Sequence, residues 1–313
     1  MILDLLNKSS HETGDFSKHI DTLLLMKSKE QREEFLNQPA SFHSGQTVAQ
    51  KIYEVIYGLE EKEACPDGKK DGFDPFHSGI DKYVKNPEIA QELRDILKVQ
   101  RATKQSEIKQ KAQEEAPFVY HISNVSPETI KNGVFEPREQ KEHFQDQGLV
   151  KAVFASSDNS WAMALKVGAG VSTSISGIER KIVIVSDRKK FMDFKFKNPY
   201  AYQYKFPVEL FEPNVGYNGH FTGEWYCLDK AVKINTENLE RRIVDEVIGP
   251  NICLYFTAQK DLFSVVRSDL KAKRKTVEDF VENGMLIPYK KGDLEKYLNQ
   301  KERLDGSQKS ACD

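Results

Sequence analysis

The pattern of hydrophobic positions changes character near residue 116. Before that point, apolar residues recur at the spacing of one helix face, most clearly within residues 46–62. The members of that stripe are Val48, Ile52, Val55, Ile56 and Leu59. Ser44 is the candidate cap of this helix. A second stripe over residues 86–99 has Pro87 at a position that suits the first helical turn.

The end of this helical segment is almost wholly polar. Residues 100–116 have the composition of either an exposed helix or a linker, and both alternatives stay open. We place a domain boundary at this point. The sequence therefore predicts a helical domain over residues 1–116, which binds a target or regulates the rest of the protein.

After Pro117 the pattern consists of short runs rich in β-branched and aromatic residues, each bounded by turn residues. These candidate strands cover residues 118–122, 151–156, 180–186, 224–228 and 251–256. Residues 126–133 and 157–168 have helix start and stop signals, and the Ser- and Gly-rich residues 168–177 predict a surface loop. The prediction is an α+β domain over residues 117–257, followed by a helical C-terminal extension over residues 258–313.

Composition excludes several classes of protein. The 46 basic and 48 acidic residues nearly cancel, which is unlike a non-specific nucleic-acid binder. The four cysteines have no CxxC spacing, so neither a zinc site nor a disulfide framework is expected. No apolar run is long enough for a membrane span, and the N-terminus lacks the features of a signal peptide. We expect a soluble protein of a reducing compartment, and a protein exported without a cleaved signal would have the same pattern.

Two residues are the first candidates for chemistry. His121 ends a predicted strand as part of a His-x-Ser sequence, and Glu224 opens a later predicted strand. Each alone has a structural interpretation, because a histidine at a strand end and a glutamate on an edge strand are common in proteins without function there. The sequence contains no nucleophile elbow, phosphate-binding loop or dinucleotide-binding glycine fingerprint.

The order of three sequence blocks resembles the ADP-ribosyltransferase family, in the branch that includes poly(ADP-ribose) polymerases and diphtheria-toxin-like enzymes. The blocks are YHIS at 120–123, KAVFASSDNSWAMALKVG at 151–168 and GEWYCLD at 223–229. The resemblance covers residues 117–257. It implies a split β-sheet core, with helical N-terminal and C-terminal segments around it.

The resemblance also implies a site for NAD as co-substrate. Glu224 and His121 are the implied catalytic residues: a carboxylate stabilises the oxocarbenium-like transition state, and a histidine bonds a ribose hydroxyl. The implied NAD-binding residues are His121, Ile122, Ser123, Phe154, Ser156 and Tyr202. Ile122 would contribute only its backbone N–H and C=O groups. No metal is implied.

The chain departs from the family pattern at two positions. The second block has Val153 where many relatives have a tyrosine that packs on nicotinamide; Phe154 takes that role if the register differs by one residue. The other substitutes are Tyr200, Tyr202, Tyr204 and Tyr217. Thr222 stands two residues before Glu224, where arginine-modifying relatives have a second glutamate. His143 and His220 are near the site only by loop position, and surface placement is the simpler interpretation.

These features predict an NAD-dependent mono-ADP-ribosyltransferase that releases nicotinamide and modifies a macromolecule. The balanced charge favours a protein acceptor over a nucleic acid. The size and the helical extension suit a bacterial effector or toxin, cytoplasmic or exported into a host cytosol. The alternatives are an NAD glycohydrolase on the same fold and a non-catalytic interaction module with a degenerate fold.

Overall fold

The computed structural model describes most of the chain. The described residues are 10–40, 45–64, 74–140, 150–158, 174–178, 181–228, 230–236, 239–249, 251–259, 262–271 and 274–300. The chain divides into two compact units. Unit 1 comprises Met1–Pro117, Glu136–Phe154 and Val208–Ala231, and unit 2 comprises Phe118–Phe135, Ala155–Pro207 and Val232–Asp313.

Helices and short strands alternate along the described residues. The helices are α1 (Ser10–Leu25), α2 (Lys29–Asn37), α3 (Val48–Ala64), a π-helix (Pro75–Gly79), α4 (Ile80–Tyr83), α5 (Pro87–Glu115), α6 (Arg188–Lys197), α7 (Val244–Val247), α8 (Leu262–Lys271) and α9 (Val277–Glu282). The strands are β1 (Phe118–Ser123), β2 (Val134–Phe135), β3 (Arg138–Gln140), β4 (Val150–Ser156), β5 (Ser174–Ile178), β6 (Lys181–Ser186), β7 (Tyr200–Pro207), β8 (Glu212–Val215), β9 (Phe221–Leu228), β10 (Val232–Lys233), β11 (Glu240–Ile243), β12 (Ile252–Thr257) and β13 (Leu286–Pro288).

The helices of unit 1 form where the sequence supplies both an apolar stripe and a cap. Pro87 is the first residue of α5, and the side chain of Asn86 caps that helix. Thr47 and Gln50 cap α3 reciprocally: the Gln50 N–H donates to Thr47 Oγ1 and the Thr47 N–H donates to Gln50 Oε1. The predicted cap Ser44 lies outside the described residues.

An apolar cluster and a buried ion pair help to hold these helices together. The cluster includes the predicted stripe residues Val48, Ile52 and Ile56. Beside it, the Arg32 guanidinium makes two hydrogen bonds of 2.7 Å to the Glu92 carboxylate. Both side chains are only 7% exposed, so this bidentate pair joins α2 to α5 inside the unit.

Helix α5 also supports the strands of unit 1, which are hydrogen-bonded in the order β3-β4-β9-β8. Arg101 Nε donates to the Val215 carbonyl at 2.6 Å, and Gln105 Nε2 donates to the Pro213 carbonyl at 3.0 Å. Arg101 and Gln105 are one helical turn apart and lie on one face of α5. They hold the two backbone carbonyls that flank Asn214 on β8.

Unit 2 contains antiparallel pairs and one mixed sheet. Strand β7 lies between β1 and β11, and Ser156 at the end of β4 pairs with Tyr120 of β1. The mixed sheet has the order β13-β12-β6-β5, with β6 and β12 parallel. Apolar residues cover both of its faces, which is typical of a buried parallel pair.

The α+β class predicted from the sequence is confirmed, and so are the predicted strands. Helix α5 continues to Glu115, so the linker alternative for residues 100–116 is wrong. Residues 126–133 form two 3₁₀ turns rather than a helix, because Ile130 between the turns is extended and Asn132 within the second turn has φ of 57°. Part of the predicted surface loop, Ser174–Ile178, is strand β5. Most of the predicted helix over 157–168 lies outside the described residues.

The two units divide the chain differently from the predicted domains. The hairpin of β8 and β9 belongs to the same unit as the N-terminal helices, while β1 and the C-terminal residues belong to the other. The predicted roles of these segments stay predictions. Within the described ranges, no helix combines the length and the apolar character needed to cross a bilayer.

Candidate functional site

His121 lies on a polar and aromatic face of the sheet in unit 2. In the register of β1 and β7, His121 is directly opposite Tyr204 and Ser123 is directly opposite Tyr202. Side chains directly opposite each other in an antiparallel pair lie on the same face. On the other side of β7, Tyr202 is opposite Arg241 of β11. We call this surface the histidine face; it consists of His121, Ser123, Tyr200, Tyr202, Tyr204 and Arg241.

Aromatic rings surround the His121 imidazole. The Phe135 ring centroid lies 4.4 Å from the His121 ring, and Phe135 meets Tyr204 edge-on at 4.8 Å. Tyr204 is fully buried and donates its hydroxyl to the Val125 carbonyl at 2.9 Å. Burial raises the pKa of Tyr204 well above its usual range, with smaller contributions from Tyr202 and Glu128. The half-buried His121 ring therefore packs against Phe135, which in turn packs against the buried Tyr204.

The serine side chains predicted to bind NAD both have local partners. Ser123 is 7% exposed, and its Oγ accepts the Val125 N–H at 3.1 Å. Ser156 is equally buried, and its Oγ both accepts the Asp158 N–H and donates to the Asp158 carbonyl. These bonds close the turns that follow β1 and β4.

Ile122 lies on the opposite face from His121, as strand alternation requires. Its side chain is 3% exposed and packs with Ala201 in a small apolar cluster. This arrangement fits a residue whose side chain has a structural role. The prediction that its backbone groups bind NAD is not tested by these contacts.

Glu224 lies in an irregular part of the hairpin in unit 1. Strand β9 begins at Phe221, three residues before the start predicted at Glu224. Between the pairs Pro213–Trp225 and Val215–Phe221, three residues of β9 are opposite the single residue Asn214. Such a bulge bends a strand and redirects a side chain.

The bulge depends on glycine and fixes the half-buried glutamate through several polar contacts. Gly223 has φ of 82°, a left-handed conformation that glycine adopts without strain. Asn214 Nδ2 donates to Glu224 Oε2 at 3.4 Å, and the Glu224 N–H donates to Thr222 Oγ1 at 3.3 Å. Thr222 Oγ1 in turn donates to the Asn214 carbonyl. Residues of this hairpin therefore contact both the carboxylate and the backbone of Glu224.

The aromatic residues proposed to pack on nicotinamide fall into two groups. Phe154 packs with Ala152 and Tyr226 in unit 1, and Val153 is 3% exposed. Tyr217 stacks on Phe76 at 3.8 Å within the helical core, so it is a structural residue.

The two tyrosines at the end of the histidine face remain accessible. Tyr200 and Tyr202 are half-buried, and their ring centroids lie 6.3 Å apart. They are therefore the better placed of the predicted substitutes.

The predicted site residues thus form two sets. His121, Ser123 and Tyr202 come together on one face in unit 2, which also contains Ile122 and Ser156, while Glu224 and Phe154 belong to unit 1. His220 is exposed, as expected, and His143 lies outside the described residues.

Sequence reasoning missed three residues around these sets. Phe135 and Asn214 gave no signal, because only the long-range pairing of strands brings them beside His121 and Glu224. Gly223 did give one, since a glycine inside a strand pattern indicates a bulge. Within the described ranges, no group of three or more histidine, cysteine or carboxylate side chains has the arrangement of a metal site.

Comparisons with protein-family models, with curated proteins and with solved structures found no match to this chain.

Proposed function

We propose that this protein is an NAD-dependent mono-ADP-ribosyltransferase that transfers ADP-ribose to a protein acceptor and releases nicotinamide. The observation that carries the proposal is the histidine face. A half-buried imidazole, a serine and a tyrosine lie on neighbouring positions of two paired strands, beside the half-buried Phe135 ring and the buried Tyr204 ring. Such a surface offers hydrogen bonds for a ribose and a flat apolar contact for nicotinamide.

His121 is the ribose-binding residue of the proposed reaction, and Tyr202 is the ring that packs on nicotinamide. An imidazole nitrogen is able to bond a ribose hydroxyl, and Phe135 restricts the rotation of the ring. The Ser123 hydroxyl accepts the Val125 N–H and still has a hydrogen to donate to the ligand. These groups orient the sugar without themselves taking part in bond cleavage.

Glu224 is the proposed catalytic carboxylate. Cleavage of the bond between ribose and nicotinamide develops positive charge on the ribose, and a fixed carboxylate stabilises that charge where it forms. The bulge restrains Glu224, because Asn214 bonds its side chain and Thr222 bonds its backbone N–H. The near-zero net charge of −2 favours a protein acceptor over a nucleic acid.

The test is nicotinamide release from NAD by the purified full chain, with and without cell lysate, together with transfer of label from adenine-labelled NAD. We expect lysate-dependent release and labelled protein. Glu224→Gln is expected to reduce the rate by about 10²–10³-fold, the usual cost of removing one group that stabilises transition-state charge. Glu209→Gln is the matched control, because Glu209 is an exposed glutamate just before the same hairpin.

The alternative outcomes distinguish the proposal from its rivals. Release without any acceptor indicates an NAD glycohydrolase. Equal rates for wild type and Glu224→Gln contradict the assigned catalytic residue. A chain that neither releases nicotinamide nor gains thermal stability with NAD is not an NAD enzyme.

A non-catalytic interaction module is the second candidate. The observation in its favour is that the Ser123 and Ser156 hydroxyls both bond within their own turns, and that Val153 at the second-block position is buried. In that case Glu224→Ala should lower stability, because it removes the oxygen that accepts the Asn214 amide in the bulge, whereas Glu224→Gln keeps an acceptor there. Urea denaturation of both variants beside the activity assay separates the two roles.

A further inference from the structure

Arg241 is an exposed cation beside an aromatic ring at the edge of the histidine face. Its guanidinium carbon lies 4.8 Å from the centre of the Tyr200 ring, within the range of a cation–π contact. Among the described residues it has no ion-pair partner. A guanidinium that contacts a ring in this way keeps N–H groups available to bind an oxyanion.

The neighbouring Arg242 shows a different arrangement on the same strand. It points to the opposite face of β11, because side chains alternate along a strand. Its Nη2 lies 3.1 Å from Glu240 Oε2, so its charge is compensated. Both arginines are exposed. Arg241 is therefore the residue to test, and the adjacent ion-paired Arg242 is its control.

The position of Arg241 is fixed relative to the predicted NAD-binding residues. Ser123, Tyr202 and Arg241 form one row across β1, β7 and β11. Two strand spacings separate the ends of that row, which is about 10 Å. In NAD, the diphosphate is attached to the 5′ carbon of the nicotinamide ribose. A cation at the far end of the row is thus within reach of the diphosphate when the ribose lies at the near end.

We infer that Arg241, held over Tyr200, is an oxyanion-binding residue of the histidine face and takes the diphosphate of NAD. The identity of this ligand rests on the proposed function, whereas the oxyanion site rests on the exposed guanidinium beside the Tyr200 ring, which makes no ion pair with a described residue. The site makes the histidine face selective for phosphorylated nucleotides over nucleosides.

Glu128 is the acidic group that acts against this site. The pKa of Glu128 is lowered chiefly by its own backbone N–H, then by the Ser126 side chain, and to a smaller extent by the charge of Arg241. Glu128 is exposed and negatively charged at neutral pH, so it repels an incoming anion. Glu128→Gln should therefore strengthen oxyanion binding.

The experiment is isothermal titration of the full chain with NAD, ADP-ribose, inorganic pyrophosphate and nicotinamide riboside, which has no phosphate. Arg241→Gln should weaken the three phosphorylated ligands about tenfold, as expected for the loss of a charge-assisted hydrogen bond. Nicotinamide riboside should bind the variant and the wild type equally. Arg242→Gln should leave all four affinities unchanged, and Arg241→Lys should give intermediate values.

The outcomes separate this inference from the proposed function. If wild type binds and cleaves NAD but Arg241→Gln binds it equally well, the oxyanion site is refuted while the enzyme stands. If NAD is not cleaved but pyrophosphate binds in a way that needs Arg241, the oxyanion site stands and the proposed function fails. Equal losses for Arg241→Gln and Arg242→Gln would show only a general charge effect, and a wild type that binds none of the ligands refutes both statements.

Discussion

Replacing Gly223 with alanine should disturb the bulge that positions Glu224. Gly223 has φ of 82°, which L-residues adopt only with strain. A Cβ atom built on Gly223 meets no other atom within 4 Å, so the substitution creates no clash. The cost is therefore the backbone strain alone, about 1–2 kcal/mol of unfolding free energy.

The same substitution should lower activity by more than this loss of stability explains. The chain can relieve the strain by closing the bulge, and this moves Glu224 away from Asn214 Nδ2, now at 3.4 Å. A displacement of about 1 Å in a catalytic group commonly costs about 10²-fold in rate. We expect nicotinamide release to fall by that order in a protein that remains folded.

Two glycines provide the controls for this prediction. Gly284 has φ of 66° and equally open surroundings, so Gly284→Ala should cost similar stability without changing turnover. Gly249 also has open surroundings but lacks a positive φ, so Gly249→Ala should leave stability and turnover unchanged. Urea denaturation and nicotinamide release are measured on all three variants. If Gly223→Ala is destabilised but releases nicotinamide at the full rate, the bulge does not position the Glu224 carboxylate. If its unfolding free energy is unchanged, the backbone strain assigned to residue 223 is wrong.

Three further predictions concern stability. Arg32→Ala should lower the unfolding free energy by about 3–5 kcal/mol, because it leaves the Glu92 carboxylate buried and unpaired. Arg32→Met combined with Glu92→Leu should recover most of that loss in the same denaturation assay, and failure to do so would contradict the electrostatic cause. Burial raises the pKa of both Tyr204 and Tyr289. Above about pH 10 the unfolded chain should therefore release protons that the folded chain keeps, and stability should fall by about 1.4 kcal/mol per pH unit for each tyrosine. Denaturation between pH 9 and 11 checks this. Tyr289→Phe should make the slope shallower without removing it, because burial also raises the pKa of Tyr255 and of the Cys227 thiol. Tyr204→Phe should cost about 1 kcal/mol through loss of the hydrogen bond to Val125, and a neutral result would show that this bond contributes nothing.

Local signals in the sequence were sufficient for five of the described strands and for helices α3 and α5. The strands β1, β4, β6, β9 and β12 follow from runs of β-branched and aromatic residues between turn residues. Helix α5 follows from the Pro87 start and the apolar stripe behind it. The prediction of a helix over 126–133 was wrong, because Ile130 is extended in the middle of the segment and Asn132 has a positive φ.

Contacts between distant residues were beyond the reach of the sequence. The side chains beside His121 depend on which strands pair with β1 and in what register, and a shift of one residue exchanges the two faces. The same holds for Asn214 opposite Glu224, since only the pairing of β8 with β9 defines the bulge. Candidate residues could thus be named individually, but their neighbours could not.

The contacts between α5 and β8 determine the smallest piece of this chain that we expect to fold. A fragment starting at Pro117 would lose Arg101 and Gln105, the side chains that bond the carbonyls on either side of Asn214. It would also uncover Tyr217, whose ring stacks on Phe76. The hairpin with Glu224 would then have unpaired carbonyls and an exposed aromatic ring. We therefore expect the hairpin with Glu224 to need the N-terminal helices in order to fold.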